Sequence, residues 1–404
     1  MVWRHHDGIK SFTLVELLIV IAILAVLAAA VVIVLNPAEL LAQARDSQRV
    51  TDLRSLSDSI NIWVTDNPSS PMGSSQTVYI SIPDTSSTCA NISGLPSLPV
   101  GWTYHCSLTA DLKKIDGSGW MPLNFNSIFG GSPISFLPID PTNDTSSGRF
   151  YTYTSGGSYE LTALMEAEKH DASISDGGIF PSLYQVGNHI DLTPISRDIG
   201  LIGYWKFDEG EGAVSSDSTG KWGNATLNGG VSWSSSCKRG YCLSFDGVDD
   251  YAVVSAKTAL FSSVHGPATV MAWFYPLNVT GIHSVFGDTS PEFQMYTSNT
   301  SAYGKANSTV SMGTVAADGW YLGSVTHAHP TGLIGTIIKG YMNGDFVEQT
   351  SWTWTSQNGY ANEGYRFGGV ASENNAFQGY IDEIRIYNRA LTAAEIKSIY
   401  DATK

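Results

Sequence analysis

Ser11-Phe12-Thr13-Leu14-Val15-Glu16 opens the stretch that decides the architecture of this chain. It runs on without another charge to Leu35, as SFTLVELLIVIAILAVLAAAVVIVL, the most apolar segment of the 404 residues. About 20 apolar residues span a bilayer core. A carboxylate within such a helix costs roughly 2.5–3.5 kcal/mol on insertion scales, so Glu16 implies a partner. The preceding MVWRHHDGIKS is too short and polar to be a secretory leader with its own apolar core. A cut between Ser11 and Phe12 would place a new α-amine at the same membrane edge as Glu16. Amine and carboxylate are natural partners there, within one subunit or between neighbours. The competing reading is a signal anchor with one tolerated acid.

Asn36-Pro37 interrupts the run. Proline removes a backbone donor and clashes one turn back, so a kink or local unwinding is expected. Beyond it, ELLAQARDSQRVTDLRSLSDSINIWV is amphipathic. Ala44, Val50, Leu53, Leu56, Ile60 and Trp63 follow helical spacing, which leaves Arg45, Arg49, Asp52, Arg54 and Asp58 for the other faces. The expectation is one long helix, half lipid-soluble and half suited to packing on a small sheet, ending at Asp66-Asn67-Pro68.

Lys10-Ser11-Phe12-Thr13-Leu14-Val15-Glu16, followed directly by the apolar helix, resembles the class III signal of type IV pilins and pseudopilins. The resemblance implies cleavage after Ser11 by a prepilin peptidase, N-methylation of Phe12 and residence in the inner membrane before assembly. It also implies packing with other pilin subunits through the N-terminal helix, with Glu16 meeting a neighbour's amine. The family usually has Gly before the cut, where this chain has Ser11. Leu137-Pro138-Ile139-Asp140-Pro141-Thr142-Asn143, leading into Arg149-Phe150-Tyr151-Thr152-Tyr153, is similar to the Asp-Pro segment of major pseudopilins. Ser158–Glu166 reads as another strand. Some relatives hold calcium with loop carboxylates near that turn; Asp140 and Asp144 stand there in this chain, against the reading of a plain turn.

Charged residues make up 15% of the chain against 40 glycines, which suits all-β extracellular modules better than a cytosolic helical enzyme. A net charge of −15 argues against nucleic acid or anionic lipid as the main partner, because both need a basic surface. The four cysteines fall in two local pairs, Cys89 with Cys106 and Cys237 with Cys242. An even count in an exported chain favours disulfides over metal thiolates. The N-x-S/T sequons are what a Ser/Thr/Asn-rich β protein produces by chance, and no glycosylation is read from them.

After Asp191-Leu192-Thr193-Pro194 the pattern changes to short strands punctuated by aromatics and Gly. Leu201–Phe207, Asp250–Val254, Ala268–Phe274 and Ile337–Met342 read as strands, and Asn343-Gly344 is a type I′ hairpin signal. Strands recurring at this spacing argue for a sandwich or jelly roll rather than βαβ units. Gly203-Tyr204-Trp205-Lys206-Phe207-Asp208-Glu209-Gly210, Asp217-Ser218-Thr219-Gly220 and Leu243–Tyr251 resemble the laminin-G/concanavalin A-type jelly rolls. The closing Gly379-Tyr380-Ile381-Asp382-Glu383-Ile384-Arg385-Ile386-Tyr387 carries the resemblance further. A short helix follows, with Thr392 and Glu395 spaced as a capping box.

Such jelly rolls bind glycans or proteins, and some carry calcium at one rim. The resemblance points to Asp217, Asn224 and Asp382 as calcium positions. The alternative is an Asx turn at Asp217 and pairing of Asp382 with Arg385 or Lys206. Asp246, Asp249 and Asp250 form a second acidic group, read as a hairpin turn. Trp352 and Trp354 share one strand face, so they either stack on a saccharide or fill the core. His327 and His329 also share a face, without a nearby third metal ligand in the sequence.

Catalytic signatures are missing: there is no nucleophile elbow, phosphate loop, HExxH or dinucleotide fingerprint. Glu209/Glu211 and Asp382/Glu383 are carboxylate pairs, but neighbours in a strand point to opposite faces. The expected fold is an α+β pilin, a long N-terminal helix plus a small antiparallel sheet, followed by an all-β jelly-roll sandwich. Its parts are a leader (1–11), helix (12–66, with 12–35 transmembrane), pilin-like domain (67–190), linker (191–200) and jelly roll (201–404). The expected function is a non-enzymatic filament subunit that displays a binding module on the cell surface, for adhesion to glycan or protein ligands. A minor pseudopilin of a secretion or DNA-uptake system is the alternative, and a membrane-tethered carbohydrate-active enzyme the third reading.

Overall fold

The computed structural model describes residues 14–404 except 97, 100, 168–170, 196, 256–266, 289–292, 307, 329–334, 354–363 and 370–374; at 28–35, 171, 288, 306, 352 and 353 it describes the backbone alone. Helix α1 (Leu14–Leu35) is followed by α2 (Pro37–Asp66). Between them Asn36 takes a left-handed φ of 37°. Proline pushes the residue before it out of the right-handed helical region, and Asn is among the few residues that tolerate the left-handed one. The expected break is therefore confined to one residue.

The packing face of α2 comprises Ala42, Arg49, Leu53, Leu56, Ile60 and Trp63. Two sequence expectations are corrected. Ala44 is exposed and Ala42 takes its place, while Arg49, expected on a polar face, is fully buried. Arg49 can be inside because its charge is met there. Nε and Nη2 donate to Asp140 Oδ2 and Oδ1 at 2.7 and 2.9 Å, and Nη1 donates to Asp46 Oδ1 at 2.7 Å. Asp140 Oδ1 also accepts from Thr142 N at 2.8 Å, which makes the Asp-Pro segment a turn clamped onto the helix.

The first sheet contains β1 (Thr77–Ile80), β2 (Thr103–His105), β3 (Thr152–Ser155), β4 (Tyr159–Leu164) and, after a short α3 (Asp171–Ile174), β5 (Leu183–Gly187). Its order is β2-β1-β3-β4-β5, antiparallel except for the parallel β1–β2 pair. Alternation along β4 makes this sheet a middle layer. Tyr159, Leu161 and Ala163 join Leu53, Leu56, Ile60 and Trp63 in the core under α2. Glu160, Thr162 and Leu164 face the other way, and their partners come from later in the chain. Glu160 Oε2 accepts from Leu192 N and Thr193 N at 2.7 and 2.6 Å, and Thr162 Oγ1 accepts from Arg197.

The remaining strands begin with β6 (Leu201–Trp205), β7 (Val214–Ser215), β8 (Ala225–Asn228), β9 (Ser232–Ser234), β10 (Cys242–Asp246) and β11 (Tyr251–Val254). They continue with β12 (Ala268–Pro276), β13 (Ile282–Asp288), β14 (Phe293–Ser298), β15 (Ser301–Ala306) and β16 (Ser308–Thr314). The last are β17 (Tyr321–Ala328), β18 (Gly335–Met342), β19 (Asp345–Thr353), β20 (Tyr365–Phe367) and β21 (Gln378–Tyr387), closed by helix α4 (Ala393–Thr403). They form two sheets, β19-β18-β17-β12-β21-β10-β9 with β6 also on β21, and β16-β15-β14-β13-β20-β11-β8-β7. The turn joining β18 to β19 has Asn343 at φ 53° and Gly344 at φ 82°, the two positive values a type I′ turn requires.

Side chains alternate across β12 as the sandwich demands. Val270, Ala272 and Phe274 enter the core between the sheets with Trp205, Phe245, Phe286, Met295, Phe367, Ile381 and Ile384. Met271 and Trp273 point outward, where α4 covers them through Ile396 and Ile399. The Thr392 capping box is present. That outer layer also contains Leu164, Ile179, Phe180 and Leu183 from the first module, packed with Leu201, Tyr204 and Tyr387. Each such apolar side chain contributes roughly 1.5–3 kcal/mol on burial, so the two modules meet across a real core rather than a loose tether.

Candidate functional site

Ser11 and Phe12 lie outside the described residues. Glu16 sits in the first turn of α1, exposed, where the partial positive charge of a helix start favours a carboxylate. Side chains of α1 are described only as far as Leu27, and within that described stretch and the other described helices none is long and apolar enough to cross a membrane.

Both cysteine pairs are disulfides, Cys89–Cys106 and Cys237–Cys242, with Cα atoms 5.3 and 5.5 Å apart. The second closes a tight loop that places Arg239 beside β21. Arg239 N donates to Asp382 Oδ2 at 3.0 Å, and its guanidinium pairs with Asp191 and donates to Ala402 O in α4. One arginine thus ties together the segment between the modules, the closing strand and the last helix.

Asp217 and Asn224 come together, but as a turn. Asp217 Oδ1 accepts from Tyr204 N at 3.0 Å and Thr219 N at 2.9 Å; Oδ2 accepts from Trp222 N at 2.8 Å and Gly223 N at 3.3 Å. Thr219 Oγ1 lies 2.8 and 2.9 Å from the two oxygens. Asn224 Oδ1 accepts from Asp217 N at 3.2 Å. These oxygens face donors, whereas a hard cation needs lone pairs turned toward it. The Asx-turn alternative describes this geometry.

Asp382 is fully buried in a different cluster, and its pairing differs from the sequence alternative. Arg385 pairs with Glu383 at 2.7 Å, and Lys206 pairs with Asp191 at 3.4 Å. Glu383 Oε2 also accepts from the Tyr204 hydroxyl at 2.6 Å. A register shift in β21 opposite Ala272, with Glu383 at φ 54°, breaks the strict alternation that would send the two carboxylates to opposite faces. Burial, then the neighbouring Glu383 charge, pushes the Asp382 carboxyl well above its ordinary range. Asp382 is 0% and Glu383 2% exposed, so neither offers a surface to a substrate.

Asp246, Asp249 and Asp250 place ligand atoms within 4.8 Å of one another. Asp250 Oδ2 accepts from Asp246 N at 2.8 Å. The segment between them is a corner rather than the expected hairpin, because β10 and β11 belong to opposite sheets. Trp352 lies on edge strand β19 opposite Thr336; Trp354 and His329 are outside the described residues. His327 is buried on β17.

Residues 246–397 match the family described as the concanavalin A-like lectin/glucanases superfamily, and residues 8–32 match the prokaryotic N-terminal methylation motif. The chain joins a type IV pilin signal to a concanavalin A-like domain. Among solved structures, domain 4 of the extracellular arabinanase AbnA from Geobacillus stearothermophilus, in complex with arabinotriose, is similar at 21% identity and a TM-score of 0.38, over 49% of this chain and 97% of that one. The receptor-binding domain of a botulinum neurotoxin C/D mosaic serotype is similar at 13% identity and a TM-score of 0.38, over 50% of this chain and 51% of that one. A search of curated proteins found no match.

Sequence reasoning missed the network of Asp191, Tyr204, Arg239 and Glu383, and the anchoring of the inter-module segment by Glu160 and Arg197. The signal for the network was present. A strand reading Ile-Asp-Glu-Ile-Arg-Ile carries more charge than a buried strand tolerates without partners.

Proposed function

We propose that the chain is a non-catalytic, type IV pilin-like filament subunit that presents its concanavalin A-like domain at the cell surface to bind a glycan or protein ligand. The observation that carries this reading is the presence of both family matches in one chain, the methylation motif at 8–32 and the lectin-type domain at 246–397. In this reading the precursor resides in the inner membrane through residues 12–35. A prepilin peptidase cuts after Ser11, Phe12 is methylated, and Glu16 meets the amine of a neighbouring subunit in the filament. A packed joint between the modules supports a display role, because the cluster of Leu164, Phe180 and Leu183 with Tyr204 and Tyr387 holds the sandwich against the filament module. The bulk of the added sandwich favours a minor or tip subunit over one repeated at every filament position.

Mass spectrometry of the mature protein from sheared surface filaments tests assembly. A methylated Phe12 at the N-terminus is expected, and an intact Met1 on filament-borne protein would sink the reading. A glycan array probed with the whole chain tests ligand capture, and turnover of any array hit would replace adhesion by catalysis.

A further inference from the structure

Between the two modules lies a cleft of about 390 Å³. Three loops meet there: 94–96 from the Cys89–Cys106 loop, 145–148 after the Asp-Pro turn, and 219–221 from the jelly roll, with Leu164 and Arg197 between them. Its lining contains two cations, Arg197 and Lys221, and no carboxylate.

Arg197 is 7% exposed, and its partners are neutral. Nη1 donates to Gly148 O at 3.1 Å and to Phe150 O, Nη2 donates to Thr162 Oγ1, and the Phe150 ring lies 4.4 Å from the guanidinium carbon. Nε is buried without a partner. Burial draws its pKa down to about 10, outweighing the opposing pull of Tyr104, Asp140 and Glu160, none of which hydrogen-bonds to it. Lys221 is exposed, with Nζ donating to Leu201 O at 2.7 Å. The acids nearest in sequence are turned elsewhere: Asp198 accepts from Ser182 N and the Tyr387 hydroxyl, Asp217 from the backbone of its own turn, and Asp144 from Ser146 N, Ser146 Oγ and Ser147 N.

A guanidinium whose direct partners are all neutral, at a cleft lined by no carboxylate, can take an anion, and its planar fork matches a carboxylate. The volume is that of a small-molecule pocket and exceeds what a bare inorganic ion fills. Leu95, Pro96 and Leu164 provide apolar wall, and Thr145 and Ser147 provide hydroxyls. We propose that this inter-module cleft binds the carboxylate-bearing residue of an acidic saccharide, with Arg197 and Lys221 supplying the counter-charge. The proposal concerns this cleft alone and stands whether or not the concanavalin A-like domain captures a ligand elsewhere on its surface.

The test is calorimetric titration of the full chain in detergent micelles with sodium glucuronate, glucose and sodium sulfate. Saturable glucuronate binding is expected, absent for glucose and weakened about tenfold in Lys221→Gln, which keeps a donor for Leu201 O. Arg197→Lys, which keeps the charge and loses the fork, should weaken it as well, with thermal melting reporting whether the variant is folded. Absence of glucuronate binding, equal binding of glucose, binding of sulfate alone, or full affinity in folded Lys221→Gln would each overturn the proposal.

Discussion

Asp198 bridges the two modules with a single carboxylate: Oδ1 accepts from Ser182 N at 3.0 Å and Oδ2 accepts from the Tyr387 hydroxyl at 2.9 Å. Ser182 precedes β5 of the first sheet, and Tyr387 ends the strand that closes the jelly roll. The carboxylate is 2% exposed, so both donors are satisfied out of water. Asp198→Ala strands them, at an expected loss of roughly 2–4 kcal/mol. Chemical denaturation of the full chain should show the midpoint falling, with the two modules no longer unfolding together. A variant as stable as the parent would remove Asp198 from the joint.

Arg49 and Asp140 form the corresponding lock inside the first module, with both side chains at 0% exposure. Removing Asp140 takes away the bidentate partner of a buried guanidinium and leaves only Asp46 and Glu166, both on Nη1. Asp140→Ala is therefore expected to cost about 3–5 kcal/mol, whereas removing the exposed Lys404–Asp401 pair should leave the midpoint essentially in place. Urea midpoints for the two variants measured side by side decide this. Similar losses would show that α2 is not held on its sheet by this contact.

Stability should also depend on pH in a defined window. Burial pushes the Glu160 carboxyl from its ordinary 4.5 up to about 7 and that of Asp176 from 3.8 up to about 7. Between the two values the native state holds protons that the unfolded chain has released. These groups therefore make stability highest below the ordinary value, and it declines as pH rises toward about 7. Glu166 acts in the opposite sense. Its hydrogen bond with Arg45 lowers it to about 2, so its contribution is lost as pH falls below 4.5. The expected profile is a maximum near the ordinary carboxylate range with a decline on each side. Glu160→Gln should flatten the neutral-side decline, and an unchanged slope would assign that decline elsewhere.

The long helix, the break at Asn36, the disulfide pairing and the Asn343-Gly344 hairpin were legible because each follows from local chemistry: period, turn residues, cysteine spacing. What was not legible depends on residues far apart in sequence. Arg49 reads as a surface charge until Asp140 is placed against it. Alternation along β4 gives no hint that Glu160 and Thr162 face a second buried layer, because the groups that satisfy them arrive at Leu192, Thr193 and Arg197. Glu383 was assigned to the wrong face because a one-residue bulge has no marker in that strand. Acidic positions near a rim suggested calcium, but a carboxylate also serves as an anchor for backbone N–H groups, and sequence alone cannot rank the two uses.

Asp217 makes that distinction measurable. Its oxygens are occupied by four backbone N–H groups and the Thr219 hydroxyl, so a cation could enter only by displacing donors that position the loop from Thr219 to Gly223. Adding EDTA to the full chain is expected to leave its Tm in place, and adding calcium is expected to do the same. Asp217→Asn should nevertheless destabilise the jelly roll by about 1–3 kcal/mol, because one side-chain amide N–H would then face N–H donors within a buried turn. A calcium-dependent rise in Tm that disappears in Asp217→Asn would reverse the assignment, showing that the loop reorganises into a metal site with Asn224 as a second ligand.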